Sequence, residues 1–379
     1  MVRRHRVGYQ TGQACDNDSR PTLAIHAIYH DAIFMNIHLE TLTADRFDDY
    51  LDFVRKIYPQ RRYAARRFAT QVLENPFLED AQRPEILLAL DDNAIIGHFG
   101  LNPYPFHFRG REYLGHSGFD FYVLEAYRQH GVGKKLAAAA VERLPYLGIG
   151  ATPVAERIYI KLGATTVGWM HRYLWLRTPL QTAWLAGHTV FKDRWFRKPE
   201  RVGDFDLPEQ VEVEGGVFEH RTRADGREDY PWAEETLSFS RSPEFLQWRY
   251  FDHAEHYRFY ALRDAQPTSF FVVRRYAWRG LSLLCMVDYR TPGAEARIIT
   301  QMLEGVKTLA RQGKFDGVVV YSSLRAVDER LTAGGFRRIG QPTIVVLKGD
   351  LPMEKERIAG RDYVLATLAD CDQDFAVYD

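Results

Sequence analysis

Disulfide scaffolding is the first thing this chain does without. Its three cysteines, Cys15, Cys285 and Cys371, are odd in number and far apart, with no CxxC pair. That excludes a disulfide-stapled fold and a thiolate zinc site, and it fits a reducing, cytoplasmic setting. Long apolar runs are missing too, so no stretch reads as a membrane span. The amino-terminal "TLAIHAIYHDAIFM" is broken by His26, His30 and Asp31, which makes a poor leader core. Charge of one sign is absent: 50 Lys and Arg stand against 50 Asp and Glu, a formal net charge of zero. Nothing in that balance recommends nucleic acid or an anionic membrane as partner. The local cluster Arg61, Arg62, Arg66 and Arg67 has helical spacing and reads as a solvated face. Metal-ligand spacing is missing as well. Asp252, His253 and His256 are too loosely placed, and "DCDQD" (370–374) lacks the glycine and distal glutamate of a calcium loop. It reads as a solvated turn, and no metal is expected.

What is present is length and pattern. With 379 residues, 46% of them hydrophobic, the chain is long enough for two α/β domains. Residues 1–34 read as a weakly structured extension and 35–176 as a first module. A linker follows over 177–210, a second module over 211–350 and a tail over 351–379. Within the first module "NIHLETL" alternates like a strand, and Thr43 can cap the helix after it. Two hairpins follow, turning at Asp91-Asp92-Asn93 and at Arg109-Gly110. Then come a helix, the short buried strand "PYLGIGA", a helix opening at Pro153, and the long aromatic strand "TTVGWMHRYLWLR", expected to close the unit. The second half replays this order, with helices near 294–309 and in the stretch ending "LTAGGF".

One stretch asks for its glycines. In "YRQHGVGKKLAAAAVERL" (127–144) a strand ends, Gly131 and Gly133 turn the chain, and an alanine-rich helix begins. The first amides of a helix have no helical partner, and its dipole favours an anion there. Glycines let that backbone approach a phosphate closely, and Arg128 adds a planar cation. A P-loop is excluded, because Lys135 stands where Ser or Thr would follow Lys134. A dinucleotide fingerprint fails at Leu136, which replaces its third glycine.

The pattern R-x-x-G-x-G between strand and helix resembles the pyrophosphate loop of the GNAT superfamily of acyl-CoA N-acyltransferases. "ATPVAERIYIKLGA" (151–164) extends the resemblance, with Ala155, Tyr159 and Gly163 at that family's spacing. Thr152 stands where the family commonly has asparagine, and Ala164 where it has an aromatic residue. The resemblance implies a mixed sheet flanked by helices, α/β in class, splayed open after the strand ending at Leu124. Main-chain groups near Phe121 and Val123 would hold a pantetheine arm. Arg128, Gln129, His130, Gly131, Val132, Gly133 and Lys134 would cradle the diphosphate of acetyl-CoA or another acyl-CoA. The reaction implied is attack of an amine on the thioester. Since about 0.04% of an ordinary primary amine is neutral at pH 7, a proton must be taken from it and another given to the thiolate. The resemblance makes Tyr159 the acid. His116 and Asp120, on the strand before the loop, are the candidates for base or acceptor contact.

The second half carries one glycine in "TPGAEARIITQML" and Leu331 opposite Tyr159, so both the cradle and the acid are missing from it. The expectation is two tandem modules, the second having kept the fold and lost the chemistry. The acceptor would be a small-molecule amine such as an amino sugar or an amino-acid derivative; a homodimer is left open. Two rivals stay in view: a CoA-binding scaffold without turnover, and an aminoacyl-tRNA-dependent transferase of duplicated fold, against which the intact loop and neutral charge argue.

Overall fold

The computed structural model describes residues 36–191, 205–351 and 363–378, so the expected extension over 1–34 lies outside it. The first half runs β1 (Ile37–Thr41), α1 (Phe47–Ile57), α2 (Ala64–Phe68), β2 (Ile86–Asp91), β3 (Ala94–Phe108), β4 (Arg111–Val123), α3 (Val132–Ala140), β5 (Tyr146–Ala151), α4 (Pro153–Lys161) and β6 (Thr165–Leu176). The apolar helix α5 (Pro179–Phe191) occupies the start of the expected linker. The second half runs β7 (Gln210–Val213), β8 (Gly216–Arg221), β9 (Leu237–Phe239), α6 (Pro243–Leu246), β10 (Tyr257–Leu262), β11 (Phe270–Trp278), β12 (Leu281–Arg290), α7 (Ala296–Gln312), β13 (Gly317–Ser322), α8 (Arg325–Ala333), β14 (Arg337–Lys348) and β15 (Val364–Leu365).

Both expected hairpins form, β2 with β3 and β3 with β4. Their turns put Asp92, Arg109 and Gly110 at positive φ, where Asp and Gly are at ease. The helices bury one stripe each. In α7, Ile298, Ile299, Met302, Leu303, Val306, Leu309 and Ala310 face the sheet at helical spacing. In α3 the buried set is Val132, Leu136, Ala137 and Ala140.

The two halves do not close separately. The sheet order is β1-β2-β3-β4-β5-β14-β6-β13-β12-β11-β10-β8-β7. The last long strand of the second half, β14, lies between β5 and β6 of the first, and β6 in turn pairs with β13. Thus β6 does not close its own unit as its sequence suggests. Each half finishes its sheet with the other's final strand. The exchange has a physical reason: the twelve residues of β6 and of β14 offer two full edges, and the crossed arrangement pairs both edges of both strands.

The tail is structured where it is described. Strand β15 pairs in parallel with β9, which also pairs with β3 and so reaches the first half. The "DCDQD" stretch is not a solvated turn. Asp370 and Asp374 are buried, the first bonded to Arg241 and the second to Arg249 and Arg274. The acidic alternation that suggested a surface turn matches three buried arginines instead.

Candidate active site

The parallel strands β4 and β5 pair only at His116 with Tyr146 and at Ser117 with Leu147. Past that point they diverge, although β4 continues to Val123. Two glycines line the divergence. A Cβ on Gly118 would lie 2.6 Å from the Tyr146 hydroxyl, and one on Gly148 would lie 3.1 Å from it. The register between β3 and β4 also shifts between His98 and Gly100, leaving Asp120 at φ 49° in a bulge. The opening so made is a cavity of about 260 Å³ whose walls include Phe99, Phe121, Tyr146, Thr152, Tyr159 and Asp372.

At one wall stands Tyr159, held on α4. That helix is started by Pro153 and capped by Thr152, whose hydroxyl accepts from the Ala155 amide at 3.2 Å. The Tyr159 ring lies 5.6 Å from that of Tyr146 and 6.5 Å from that of Phe99. Burial pushes its phenol up to about 12, partly opposed by the nearby Tyr146 hydroxyl, so at neutral pH it holds its proton and can donate. Tyr146 Oη itself is buried and reaches no partner at hydrogen-bonding geometry among the described residues. It is a polar atom aimed at an opening made of glycine.

The glycine turn lies at the other end of β4. A 3₁₀ turn, Glu125–His130, leads into Gly131 at φ 74°, a conformation natural to glycine, and α3 begins at the next residue. Val132 is fully buried and pins the helix start to the core, while Gln129, His130, Gly131 and Lys134 are exposed. No side chain caps α3, and its first closed bond runs from the Lys135 amide to the Gly131 carbonyl at 3.1 Å. The amides before it are therefore presented outward. A Cβ on Gly133 would lie 3.5 Å from the Phe121 ring, an ordinary contact distance, so the helix mouth adjoins the cavity wall. Arg128 is exposed; its Nε donates to the Val123 carbonyl at 3.1 Å and its guanidinium lies 5.5 Å from the Tyr122 ring centre. Phe121 stacks on Phe99 with centroids 4.6 Å apart.

The two candidates for base part company. His116 does not line the cavity; its Nε2 sits 3.2 Å from Glu85 on another face. Asp120 does line it, but Arg61 grips both its oxygens at 2.5 and 2.7 Å, and Arg67 stands 3.9 Å away. Burial alone would raise its carboxyl; the bond from Arg61 and the charges of Arg67 and Arg61 outweigh this and hold it below its ordinary value. A carboxylate held so tightly is an anchor more than a proton acceptor. The arginines correct the reading of a solvated cluster. Arg62 and Arg66 are exposed, but the side chains of Arg61 and Arg67 are only 9% and 6% exposed.

Sequence reasoning passed over Arg61, Arg67, Tyr58, Tyr146 and Asp372. Tyr58 joins the same wall, with the Arg61 guanidinium 3.8 Å from its ring centre. Asp372 arrives from the tail, and Arg67 Nη2 donates to its main-chain carbonyl at 3.2 Å. Its only trace in the sequence is the alternation of acids between apolar neighbours in "DCDQDF".

The matching region of the second half is closed. Strands β12 and β13 pair from Leu283 with Gly317 to Met286 with Val320. Beyond that, Asp288 accepts from Arg241 Nε at 2.6 Å, Tyr250 Oη at 2.9 Å and Thr367 Oγ1 at 3.1 Å. Ser323 donates to the Val364 carbonyl at 2.6 Å and accepts from the Ala366 amide at 2.8 Å. The chain's own tail, 364–367, thus bridges the two strand ends where the first half keeps an opening.

Residues 45–156 match the model of the acetyltransferase (GNAT) family. No curated protein matches the chain by sequence. Among solved structures, it is similar to a GCN5-related N-acetyltransferase from Anabaena variabilis ATCC 29413, at 11% identity and TM-score 0.53, over 82% of this chain and 72% of that one. It is similar to a conserved protein of unknown function from Enterococcus faecalis V583, described as a probable N-acyltransferase, at 11% identity and TM-score 0.52, over 82% and 71%. A third is N-myristoyltransferase of Saccharomyces cerevisiae with bound myristoyl-CoA, at 10% identity and TM-score 0.53, over 82% of each chain. At these identities the likeness is one of fold: a large mixed sheet flanked by helices.

Proposed function

We propose that this chain, whose residues 45–156 carry the GNAT family's domain, is an acyl-CoA-dependent N-acyltransferase that acetylates the primary amine of a small molecule. The observation that carries the reading is the open crevice between β4 and β5, with the uncapped start of α3 at its mouth and Tyr159 on its wall. In this reading the amides of Gly131, Val132, Gly133 and Lys134 bond the diphosphate, with Gln129, His130 and the exposed Arg128 beside them. Main-chain groups of Phe121 and Val123, on the unpaired edge of β4, take the pantetheine arm. Tyr146 Oη supplies a polar contact inside. As the new C–N bond forms and the C–S bond breaks, Tyr159 donates its proton to the departing sulfur. A volume of about 260 Å³ lies just below the roughly 300–1,000 Å³ of small-molecule sites, which supports a short acyl group and a compact acceptor. Asp120 serves to fix Arg61 and the bulge, and His116 has no part in the transfer.

The test is acetyl-CoA with a panel of amino sugars, amino acids and polyamines, following free thiol and product mass. Gly133→Asp places a carboxylate among the phosphate donors. Losing two charge-assisted bonds at about 1.5–3 kcal/mol each lowers acetyl-CoA affinity by at least about 100-fold. Tyr159→Phe lowers kcat by about 100-fold or more with acetyl-CoA affinity unchanged. Unaltered binding in the glycine variant would show the loop assignment to be wrong.

A further inference from the structure

We propose that Asp372, delivered by the carboxyl-terminal tail, is the group that receives the acceptor's ammonium and takes its proton. The proposal rests on the transferase reading above and adds the residue which that reading lacks. Its first support is place: Asp372 lines the same cavity as Tyr159, from the side of Tyr58 and Asp120. Its second is mounting. Two residues before it, Asp370 is bonded to Arg241 Nη2 at 2.7 Å; two residues after it, Asp374 is bonded to Arg249 Nη2 and Arg274 Nε at 2.5 Å each. All five of these side chains are 5% exposed or less, so the segment is clamped on both sides of Asp372, the acid it turns to the cavity. Among the described residues no arginine bonds the half-buried Asp372 carboxylate, while the acids on either side have theirs, so it is left for another cation.

Its electrostatic setting suits the task. Around it stand Asp120 on β4, Arg61 before α2, Arg67 on α2 and the phenol of Tyr58, with His98 on β3 behind Asp120. Burial is the largest influence and the Asp120 charge the next; both raise the Asp372 carboxyl. Arg67, Arg61 and a hydrogen bond from the Asp120 backbone pull the other way, and the balance is about 6. A proton acceptor poised near neutrality is what general-base catalysis requires; Arg61 is already committed to both oxygens of Asp120, and Arg67 meets Asp372 at its main-chain carbonyl. The protons balance. The ammonium gives one to Asp372 and attacks as a neutral amine; the C–N bond forms, the C–S bond breaks, and Tyr159 protonates the thiolate. The second nitrogen proton restores the phenol, and Asp372 releases its own to solvent.

The experiment compares wild type with Asp372→Asn and Asp372→Glu, using acetyl-CoA and whichever amine of the panel the wild type acetylates. The Asn variant should lose about 100- to 10,000-fold in kcat/KM and keep its acetyl-CoA affinity within twofold. The rising limb of the pH profile near 6 should vanish, and activity should return only as the amine loses its proton in solution. The Glu variant should restore part of the rate and some limb of this kind. An infrared titration reads the same group without any amine: a protonated-carboxyl band with a midpoint near 6 in wild type, gone in Asp372→Asn. Transfer by Asp372→Asn within threefold of wild type with the limb in place would overturn this inference alone. A wild-type protein that binds no acetyl-CoA would overturn the transferase reading and this inference with it.

Discussion

Replacing Asp374 by asparagine removes one charge from an enclosed ion cluster of the tail. Its Oδ1 accepts from Arg274 Nε at 2.5 Å, and its Oδ2 accepts from Arg249 Nη2 at 2.5 Å and from Tyr257 Oη at 3.0 Å. The acid is fully buried and the arginines are 1% and 5% exposed. The variant keeps the shape but leaves two guanidinium groups buried without a counter-charge, and it turns an N–H₂ toward one of their donors. Removing one partner of a buried pair costs about 3–5 kcal/mol, a large share of the roughly 5–15 kcal/mol that holds a domain together. Urea unfolding should show the midpoint falling by that equivalent with little change in slope. Asp370→Asn is the internal comparison. Arg241 keeps Asp288 as its partner, so the loss there should be nearer the 1.5–3 kcal/mol of one charge-assisted bond. Asp374→Asn should also lower turnover beyond its effect on stability, because Asp372 loses one of its two anchors. A loss below about 1 kcal/mol, or the reverse order of the two variants, would refute the view that these arginines clamp the tail.

Gly118→Ala puts a methyl group 2.6 Å from the Tyr146 hydroxyl and 2.8 Å from the Phe99 ring. Overpacking of this kind costs about 1–3 kcal/mol, and acetyl-CoA titration should show weaker binding as the crevice narrows. Asp120→Asn frees Arg61 and Arg67 to act on Asp372 and removes a charge that raises it. The midpoint of the Asp372 infrared band, and with it the acid limb of the pH profile, should therefore move below 6; an upward move would contradict the cluster as described.

The glycine turn was legible because its chemistry is local. A strand, two glycines and a helix start within a few residues, and Gly131 shows the positive φ that only such a residue takes with ease. The sequence singles out Tyr159 by its spacing from Ala155 and Gly163, and the fold puts it on the cavity wall. Partners far apart in the chain left no such mark. Arg61 and Arg67 look like surface residues until Asp120, 59 positions from the first, folds onto them. The turn between α1 and α2 also breaks the single helix face that their spacing suggests. The strand exchange was hidden for another reason. "TIVVLKG" is a continuous apolar run, buried on both faces, that packs equally well beside any edge, since a hydrophobic pattern fixes what is buried but not which neighbour is bonded. Asp372 was missed because a string of acids near a terminus has the composition of a solvated turn; only the arginines that meet its flanking residues distinguish it.

The crossing of β6 and β14 makes the two halves joint owners of one sheet. Cutting the chain after α5 would strip β5 of its neighbour and leave the crevice wall without backing, even though every residue of the glycine turn and of α4 would still be there. A half whose own opening is bridged by the tail can therefore be indispensable to its sibling's crevice. Substitutions deep in β14, such as at Val345 or Val346, bear on the first half's crevice as much as on the second half's fold.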